Sequence, residues 1–202
     1  MSELMERLVM NSKPAPSAEF LRECFSHNPD TGELFWNARP VSHFKSENAC
    51  SAWNGRYANK PCGCIRPDGY VKISVNKVSY LAHRVIWKMI TGTDSEFTDH
   101  INGIKSDNRL ANLRDVTMTE NNRNMIGGLA SWNNFIGVYW HQQRSKWMAR
   151  IRCDDSERYI GIYDDIKIAV LAYNAECERV HGEYGKRKIE HNLSKLREMG
   201  LI

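Results

Sequence analysis

Hydrophobic and polar residues alternate most regularly over residues 69–80. The run VKISV places an apolar side chain at every second position, which is the period of a half-buried strand. The following Asn76-Lys77 predicts a turn, so we expect a hairpin here. Over residues 81–91 the apolar spacing changes to that of an amphipathic helix, and Gly92 is a suitable C-terminal cap.

The pattern before this hairpin is less regular. Residues 1–16 are a polar lead, and Ser17 can cap a short helix that runs to Phe25. The turn signal NPDTG and the strand-like ELFW follow, which together predict a chain reversal. Residues 40–60 show no regular apolar period, and we expect an irregular loop there.

A polar stretch, DHINGIKSDNRLANLRDVTMTENNRN, occupies residues 99–124. It contains few large apolar residues, so we expect a loop or a functional site instead of core. Its pattern predicts a strand that ends near His100, a loop over residues 102–112 and a second strand over residues 113–116. The sequence TMTE matches a capping box, so a helix is expected to begin at Thr117.

The pattern changes again beyond GGLAS at residues 127–131, which is the best linker signal in the chain. Three strand-like runs follow it, at residues 135–140, 146–153 and 157–163. Asp164 and Asp165 then favour the start of a helix, which we expect to end at Gly182. These elements predict a small domain, followed by a basic tail.

Composition and charge narrow the class of protein. The chain has 202 residues, enough for one or two globular domains, and a net charge of +4 that alone does not identify a nucleic-acid partner. No apolar run is long enough to span a membrane, and the start, MSELMERLVM, lacks the pattern of a signal peptide. The six cysteines have no framework spacing, so we expect free thiols in a reducing, cytoplasmic compartment.

The polar stretch carries side chains suited to phosphodiester hydrolysis. A neutral imidazole such as that of His100 can take a proton from water near neutral pH. Mg²⁺ prefers oxygen ligands and keeps several waters, so the Asp99 carboxylate and the Asn121 amide can suffice to hold it. Asn112 can fix the loop by bonding to its backbone. The alternative, which spacing alone leaves open, is an Asx-rich surface loop with a solvated histidine.

This stretch and the residues before it resemble the HNH endonuclease family, in particular the branch of phage and intron-borne homing enzymes. The shared motifs are GYVKI, AHRVIW, DHING, DNR, NLR and ENN, which together cover residues 69–124. The resemblance implies a ββα-metal fold, in agreement with the strand, loop, strand and helix predicted above. It also implies cleavage of double-stranded DNA with Mg²⁺ or Mn²⁺.

Residue by residue, the resemblance implies that His100 is the general base and that Asp99 is a metal ligand. Asn112 matches the asparagine that orients the loop, and Asn121 matches the final metal-binding position. Many relatives carry histidine at that last position, so this chain reads His-Asn-Asn where they read His-Asn-His. The change favours an oxygen-coordinated Mg²⁺ over a nitrogen-preferring metal such as Zn²⁺.

Further residues near this unit have open roles. His83 either lines the site or fixes its helix through a hydrogen bond. Cys50, Cys62 and Cys64 are a weak metal candidate, because they lack the paired spacing of a zinc ribbon. Basic residues in or beside the motif are candidates for binding DNA phosphates: Arg84, Lys88, Arg109, Arg114 and Arg123.

A second resemblance covers residues 135–185. GVYW, KWMARI, YIG and AYNA are similar to the AP-two DNA-binding domain of plant ethylene-response factors and of many phage endonucleases. In that family the three-stranded sheet enters the major groove of DNA, which is wide enough for a small sheet. The resemblance therefore implies a DNA-binding domain at this end of the chain.

The strand period assigns faces within this second segment. Arg150 and Arg152 share one face, whereas Ala149 and Ile151 take the other and are expected to pack on the helix. The candidates for DNA contact are Tyr139, Trp140, Arg144, Lys146, Arg150, Arg152 and Tyr159. The alternative is a solvated basic strand face that binds nothing.

Together these patterns predict an α+β protein. A central ββα-metal nuclease unit is expected at residues 61–126, and a three-stranded antiparallel sheet packed on one helix at residues 135–185. A helix, hairpin and loop region at residues 1–60, a linker at residues 127–134 and a basic tail at residues 186–202 complete the chain.

The predicted function is a site-directed DNA endonuclease of the homing type, encoded by a phage or mobile element. We expect a cytoplasmic monomer that binds double-stranded DNA and no membrane, and the sequence indicates no protein partner. Two alternatives stay open, namely a non-cutting DNA-binding regulator with a decayed nuclease unit and a structure-specific nuclease. Deletion of the residues after Gly128 is expected to weaken site selection and to leave residual nicking.

Overall fold

The computed structural model describes residues 15–126, 134–153 and 156–202. The predicted lead up to residue 14 and most of the predicted linker lie outside these ranges. Within them the protein is mixed α and β, with small sheets of two or three strands. No helix of these ranges is both long enough and apolar enough to cross a membrane. All six cysteines are free thiols, as predicted.

The chain forms two compact units. The first comprises the chain up to His100 together with Ile104–Asp115, and the second comprises Ile101–Gly103 and Val116–Ile202. Each unit has its own hydrophobic core.

The described part of the first unit begins with helix α1 (Ala18–Cys24), which Ser17 caps as predicted. Two three-stranded antiparallel sheets follow the chain order. Their strands are β1 (Phe25–His27), β2 (Leu34–Trp36) and β3 (Pro61–Cys62), then β4 (Cys64–Ile65), β5 (Val71–Val75) and β6 (Val78–Leu81). Leu21 of α1, Leu34 of β2 and Ile73 of β5 meet in one core.

The predicted hairpin and helix at the centre of this unit are confirmed. Asn76 and Lys77 form the turn in the left-handed region. Helix α3 (Ala82–Thr91) follows β6 and ends at Gly92, which has φ of +82°. Ile90 follows Ala82 and Ile86 at intervals of four residues but is 40% exposed. Side chains four residues apart on a helix differ in direction by about 40°. A series of such positions therefore turns gradually from the buried side of the helix towards solvent.

Residues 40–60, predicted to be an irregular loop, contain helix α2 (Glu47–Tyr57). Ser46 caps it, because its side chain accepts a hydrogen bond from the Ala49 N–H over 3.2 Å. The loop prediction is wrong because α2 buries only a narrow strip of its surface. The ring of Trp53 in that strip lies 4.9 Å from the ring of Trp36, and the remaining positions stay polar and hide the helical period.

Strands β7 (Phe97–His100) and β8 (Leu113–Val116) pair in a two-stranded sheet, close to the predicted ranges. Helix α4 (Met118–Asn124) starts after Thr117, where both hydrogen bonds of the predicted capping box are present. The polar stretch was not expected to be core, yet several of its side chains are buried: His100, Asn108, Asn112 and Asn124. Hydrogen bonds within the fold make that burial possible.

The sheet of the second unit contains β9 (Val138–His141), β10 (Lys146–Cys153) and β11 (Ser156–Tyr163), with β10 at its centre. Helix α5 (Ile166–His181) is capped by Asp165 and packs on this sheet. Three strands and a helix are therefore confirmed for this segment, although β9 starts three residues later than predicted.

Residues 186–202, predicted to be a basic tail, form helix α6 (Lys186–Glu198) over most of their length. Leu196 and Asn192 are fully buried on this helix. The Asn192 amide bonds to the backbone of Ile136 and donates to the side chain of Asn174 over 3.0 Å. The sequence left the order of this tail open, because the buried stripe of α6 includes a hydrogen-bonded asparagine, which hydrophobic spacing does not reveal.

Candidate active site

His100 ends strand β7 and is 4% exposed. Its Nε2 donates to Oδ1 of Asn108 over 3.0 Å, and Asn108 is itself 2% exposed. An amide oxygen only accepts hydrogen bonds, so this contact places the ring proton on Nε2 and the lone pair on Nδ1. In the neutral ring, this tautomer carries its basic nitrogen at Nδ1.

Burial also sets the charge of this ring. It lowers the pKa of His100 below the ordinary value of 6.5, and the Asn108 hydrogen bond and the Asp99 charge offset only part of this effect. The imidazole is therefore neutral near neutral pH, which is the state that a general base requires.

Asn108 is fixed from a second side by the N-terminal hairpin. His27, the last residue of β1, donates from Nε2 to the Asn108 carbonyl oxygen over 3.2 Å. Gly32, in the turn before β2, has φ of +76°, and a Cβ there would lie 2.6 Å from the Asn108 carbonyl carbon. The hairpin therefore holds the residue that orients His100. Sequence reasoning missed this, because DNR marks Asn108 without showing what its side chain contacts.

Asn112 makes the kind of contact predicted for it. Its Nδ2 donates to the backbone oxygen of Asp107 over 2.8 Å, and the residue is 8% exposed. The Asp107 carboxylate in turn accepts two hydrogen bonds from Arg109, over 2.8 and 2.6 Å. Arg109, a predicted phosphate contact, is therefore already ion-paired within the loop.

Asp99, the predicted metal ligand, is paired with Arg114, a predicted phosphate contact. Nε and Nη2 of Arg114 both donate to Oδ2 of Asp99, over 3.0 and 2.9 Å. The two side chains are only 11% and 13% exposed, so this charge-assisted pair is well shielded from water. The sequence predictions treated the two residues separately, although opposite charges on two successive strands were an available signal.

His83 of α3 packs against the same ring. Its ring centroid lies 4.8 Å from that of His100 with an angle of 68° between the planes, and 5.3 Å from that of Tyr70. Burial lowers the pKa of His83 to about 3, so this ring is neutral as well. Nδ1 of His83 has no hydrogen-bond partner among the described residues, so the expected fixing bond is not found at that atom.

Residues 80–123 match the family model of HNH endonucleases. The match contains His100 with its neighbours Asp99, Asn108, Asn112 and Arg114, and it extends into α4. It supports a nuclease, and HNH nucleases generally use a divalent metal. The match ends before the sheet of the second unit.

A known phage protein is similar to part of this chain. Protein 3.8 of Escherichia phage T7 is 23% identical over 106 residues, which are 52% of this chain and 87% of that protein. No solved structure matches the chain at a significant level. The similarity supports a link to phages.

The donor types present in the HNH segment fit a hard cation. Among residues 15–126, 134–153 and 156–202, no group of three or more His, Cys, Asp or Glu side chains is arranged to hold a metal. An Mg²⁺ site of one carboxylate, one amide oxygen and waters needs no such group, and Asp99 was predicted to supply the carboxylate. Asn121 lies on α4 in the second unit, and its role stays a prediction.

The cysteine candidate for a metal site gains no support. Cys50 is buried and donates to the backbone oxygen of Arg39 over 3.3 Å, whereas Cys64 is exposed. Burial raises the pKa of Cys62 to about 12, which disfavours the thiolate that a metal would need.

The two basic candidates on α3 have different surroundings. Lys88 donates to Oδ2 of Asp94 over 2.7 Å and to the backbone oxygen of Ala15 over 3.1 Å. Arg84 is exposed, which suits a phosphate contact better. Lys88 therefore ties the N-terminal segment to the helix in this structure.

Strand register assigns the faces of the second sheet. Ala149 and Ile151 are buried as predicted, whereas Arg150 lies opposite Tyr159. Trp140 lies opposite Trp147, and their rings are 5.0 Å apart. Directly opposite residues share a face, so Trp140 points away from the face of Arg150. The sequence left the facing of Trp140 unsettled, and the strand register places it on the face opposite to that of Arg150.

Tyr139 lies on the same face as Arg150, here called the outer face of the sheet, because it lies opposite Met148, which shares parity with Arg150. Arg150 pairs with Glu157 over 3.0 Å, and Lys146 pairs with Asp164 over 2.9 Å. All four side chains are substantially exposed, and such surface pairs are weak and easily exchanged for other partners. Arg144 and Arg152 are exposed too.

Proposed function

We propose that this chain is a DNA endonuclease that hydrolyses phosphodiester bonds with a divalent cation and a histidine base. The observation that supports it most is the buried, neutral His100, held in one tautomer by Asn108 within residues that match the HNH family. A solvated histidine in an Asx-rich surface loop would show neither the burial nor the fixed partner.

In this proposal His100 takes a proton from the attacking water at Nδ1. Asn108 Oδ1 accepts from Nε2 throughout, so it keeps the ring in place and stabilises the imidazolium that forms. Asn112 holds the loop through Asp107, and Asp99 and Asn121 would hold Mg²⁺ or Mn²⁺. When bound, the cation offsets charge on the phosphate and on the leaving 3′ oxygen.

The second unit is proposed to bind DNA as an AP-two-like sheet. The outer face of the sheet presents Arg150, Arg152, Tyr139 and Tyr159, which suits a groove contact. Arg84, Arg109, Arg123, Arg144 and Lys146 are proposed phosphate contacts. The phage similarity and the motif set together favour a homing endonuclease of a phage, acting on double-stranded DNA.

Nicking of a supercoiled plasmid tests the activity. Wild type is expected to nick with Mg²⁺ or Mn²⁺ and to stop when a chelator is added, whereas His100→Ala should lose cleavage and keep DNA binding. Retained binding in a mobility-shift assay excludes misfolding as the cause. Cleavage by His100→Ala at the wild-type rate would disprove the role of this residue.

A non-cutting DNA-binding regulator is the second candidate. The Asp99–Arg114 pair favours it, because the proposed metal ligand is engaged by a guanidinium in this structure. Asparagine in place of histidine at position 121 points the same way. This candidate predicts DNA binding without any metal-dependent product, on linear or branched DNA.

A further inference from the structure

Tyr184, just before α6, and Arg187, in its first turn, contact both ends of helix α4 within the second unit. Arg187 donates from Nη1 to the backbone oxygen of Asn124, the last residue of α4, over 3.1 Å. The Tyr184 side chain hydrogen-bonds to Glu120, the glutamate of the capping box. Tyr184 and Arg187 therefore brace the helix that carries Asn121.

The Arg187 guanidinium also lies against Gly103 of the DHING motif, which belongs to the same unit. A Cβ built on Gly103 would lie 1.9 Å from Cζ and 2.0 Å from Nη2 of Arg187. Gly103 has φ of +70° as well, which disfavours a larger residue. Arg187 thus occupies the space that a side chain at position 103 would fill.

Helix α4 needs such support for two reasons. It has seven residues, and helices this short are unstable without tertiary contacts. Its last carbonyl groups lack partners within the helix and carry partial negative charge. Asn124 is 2% exposed, so water does not readily satisfy its oxygen. A guanidinium supplies both a donor and a positive charge at this end.

We propose that Arg187 is a positioning residue of the nuclease unit. It ties the glycine of DHING to the C-terminal end of α4 and thereby holds Asn121 in place. The part of this inference that concerns the metal rests on the proposed function, which assigns Asn121 as a metal ligand. The brace itself rests only on the contacts of Arg187 and Tyr184.

Two measurements on the full-length protein test the proposal. The first is hydrogen exchange of the α4 amides, which should become faster in Arg187→Ala, with exchange in β10 unchanged. The second is the plasmid-nicking rate as a function of Mg²⁺ concentration. The Mg²⁺ concentration for half-maximal rate should rise about 10-fold in Arg187→Ala, and excess Mg²⁺ should restore the rate, as for other residues that orient metal ligands.

Two further variants keep the test decisive. Lys186→Ala removes an exposed charge one residue earlier and should change neither measurement. Arg187→Lys keeps the charge but not the planar fork, so its effect should have the same direction. This milder variant replaces Arg187→Ala if the latter unfolds the second unit.

The outcomes separate this inference from the proposed function. Unchanged α4 exchange in both Arg187 variants would overturn the brace, whether or not the wild type cleaves DNA. A loss of rate that excess Mg²⁺ does not restore would overturn the link to Asn121. Faster α4 exchange in a protein that never nicks DNA would support the brace and reject the nuclease activity.

Discussion

Two histidines bond to Asn108, one at its side chain and one at its backbone. His100 donates to the amide oxygen, and His27 donates to the carbonyl oxygen. At the scale of single residues, this makes Asn108 the connection between the proposed base and the N-terminal hairpin. Asn108 is held at its side chain and at its backbone, so it loses little further conformational entropy when the reaction begins. A supporting residue assists catalysis in this way.

Asn108→Ala should therefore slow single-turnover nicking about 10- to 100-fold, the usual range for residues that orient a catalytic or metal-binding group. Without an acceptor at Nε2, the His100 ring should populate both neutral tautomers. Nitrogen NMR of the imidazole reports this directly, and it does not depend on activity. Ser106→Ala, an exposed change in the same loop, is the matched control. A single unchanged His100 tautomer in Asn108→Ala would contradict the assignment.

His83 makes the free energy of unfolding depend on pH. Its pKa is about 3 in the folded protein and near 6.5 in the unfolded chain. Below pH 6.5 the unfolded chain therefore binds a proton that the folded protein excludes, so stability falls as the pH falls from 6.5 towards 3.

His83→Phe should remove this contribution. Between pH 7 and pH 4.5, urea unfolding should show wild type losing about 2–3 kcal/mol more than His83→Phe, since each pH unit in the window is worth about 1.4 kcal/mol. The remaining loss, from other groups such as His27, should persist in the variant because burial lowers that pKa too. Equal losses in the two proteins would show that His83 is not buried as a neutral ring.

At the scale of elements, strand β10 offers a matched test of the two faces of its sheet. Arg150→Ala removes a charge from the outer face and should weaken DNA binding about 10-fold at low salt, as for a lost base or phosphate contact. Trp140→Ala, on the opposite face, should change affinity little. Glu157→Gln releases Arg150 from its ion pair and should leave affinity equal or higher. Mobility-shift titrations of all three decide whether the outer face binds DNA.

Some elements were predictable because their hydrophobic period or capping motif lies within their own residues. The β5–β6 hairpin, helix α3 and the capping box of α4 follow from alternation, an apolar stripe and one four-residue motif. Helices α2 and α6 were not predictable in this way, because polar residues such as Asn54 and Asn192 occupy their contact positions. Asn54 donates to the backbone oxygen of Arg39, and only the folded chain supplies such a partner.

The candidate site likewise contains residues that the sequence could identify and residues that it could not. The motif residues Asp99, His100 and Asn112 could be found from their spacing and resemblance. Their partners could not, because Arg114 and His27 are selected by strand pairing and hairpin packing, not by sequence distance.

At the scale of the whole molecule, the HNH-matching residues 80–123 do not belong to one compact unit. His100 lies in the first unit, whereas Gly103 and all of α4 belong to the second, together with the sheet and α6. The C-terminal part therefore shares a compact unit with part of the HNH match, since α4, the helix that carries Asn121, belongs to that unit.

This division changes what deletion of the residues after Gly128 should do. The sequence alone led us to expect residual nicking, but the deletion removes Tyr184 and Arg187, the residues that brace α4. We now expect nicking to fall at least 100-fold, by the same reasoning that applies to lost supporting groups. Full-length Arg150→Ala/Arg152→Ala, which alters only the outer face of the sheet, should lose affinity and keep its nicking rate at saturating protein. Comparing the two proteins in one plasmid assay separates DNA binding from support of α4. Nicking by the deleted chain at the rate of that double variant would show that α4 needs no support from the C-terminal part.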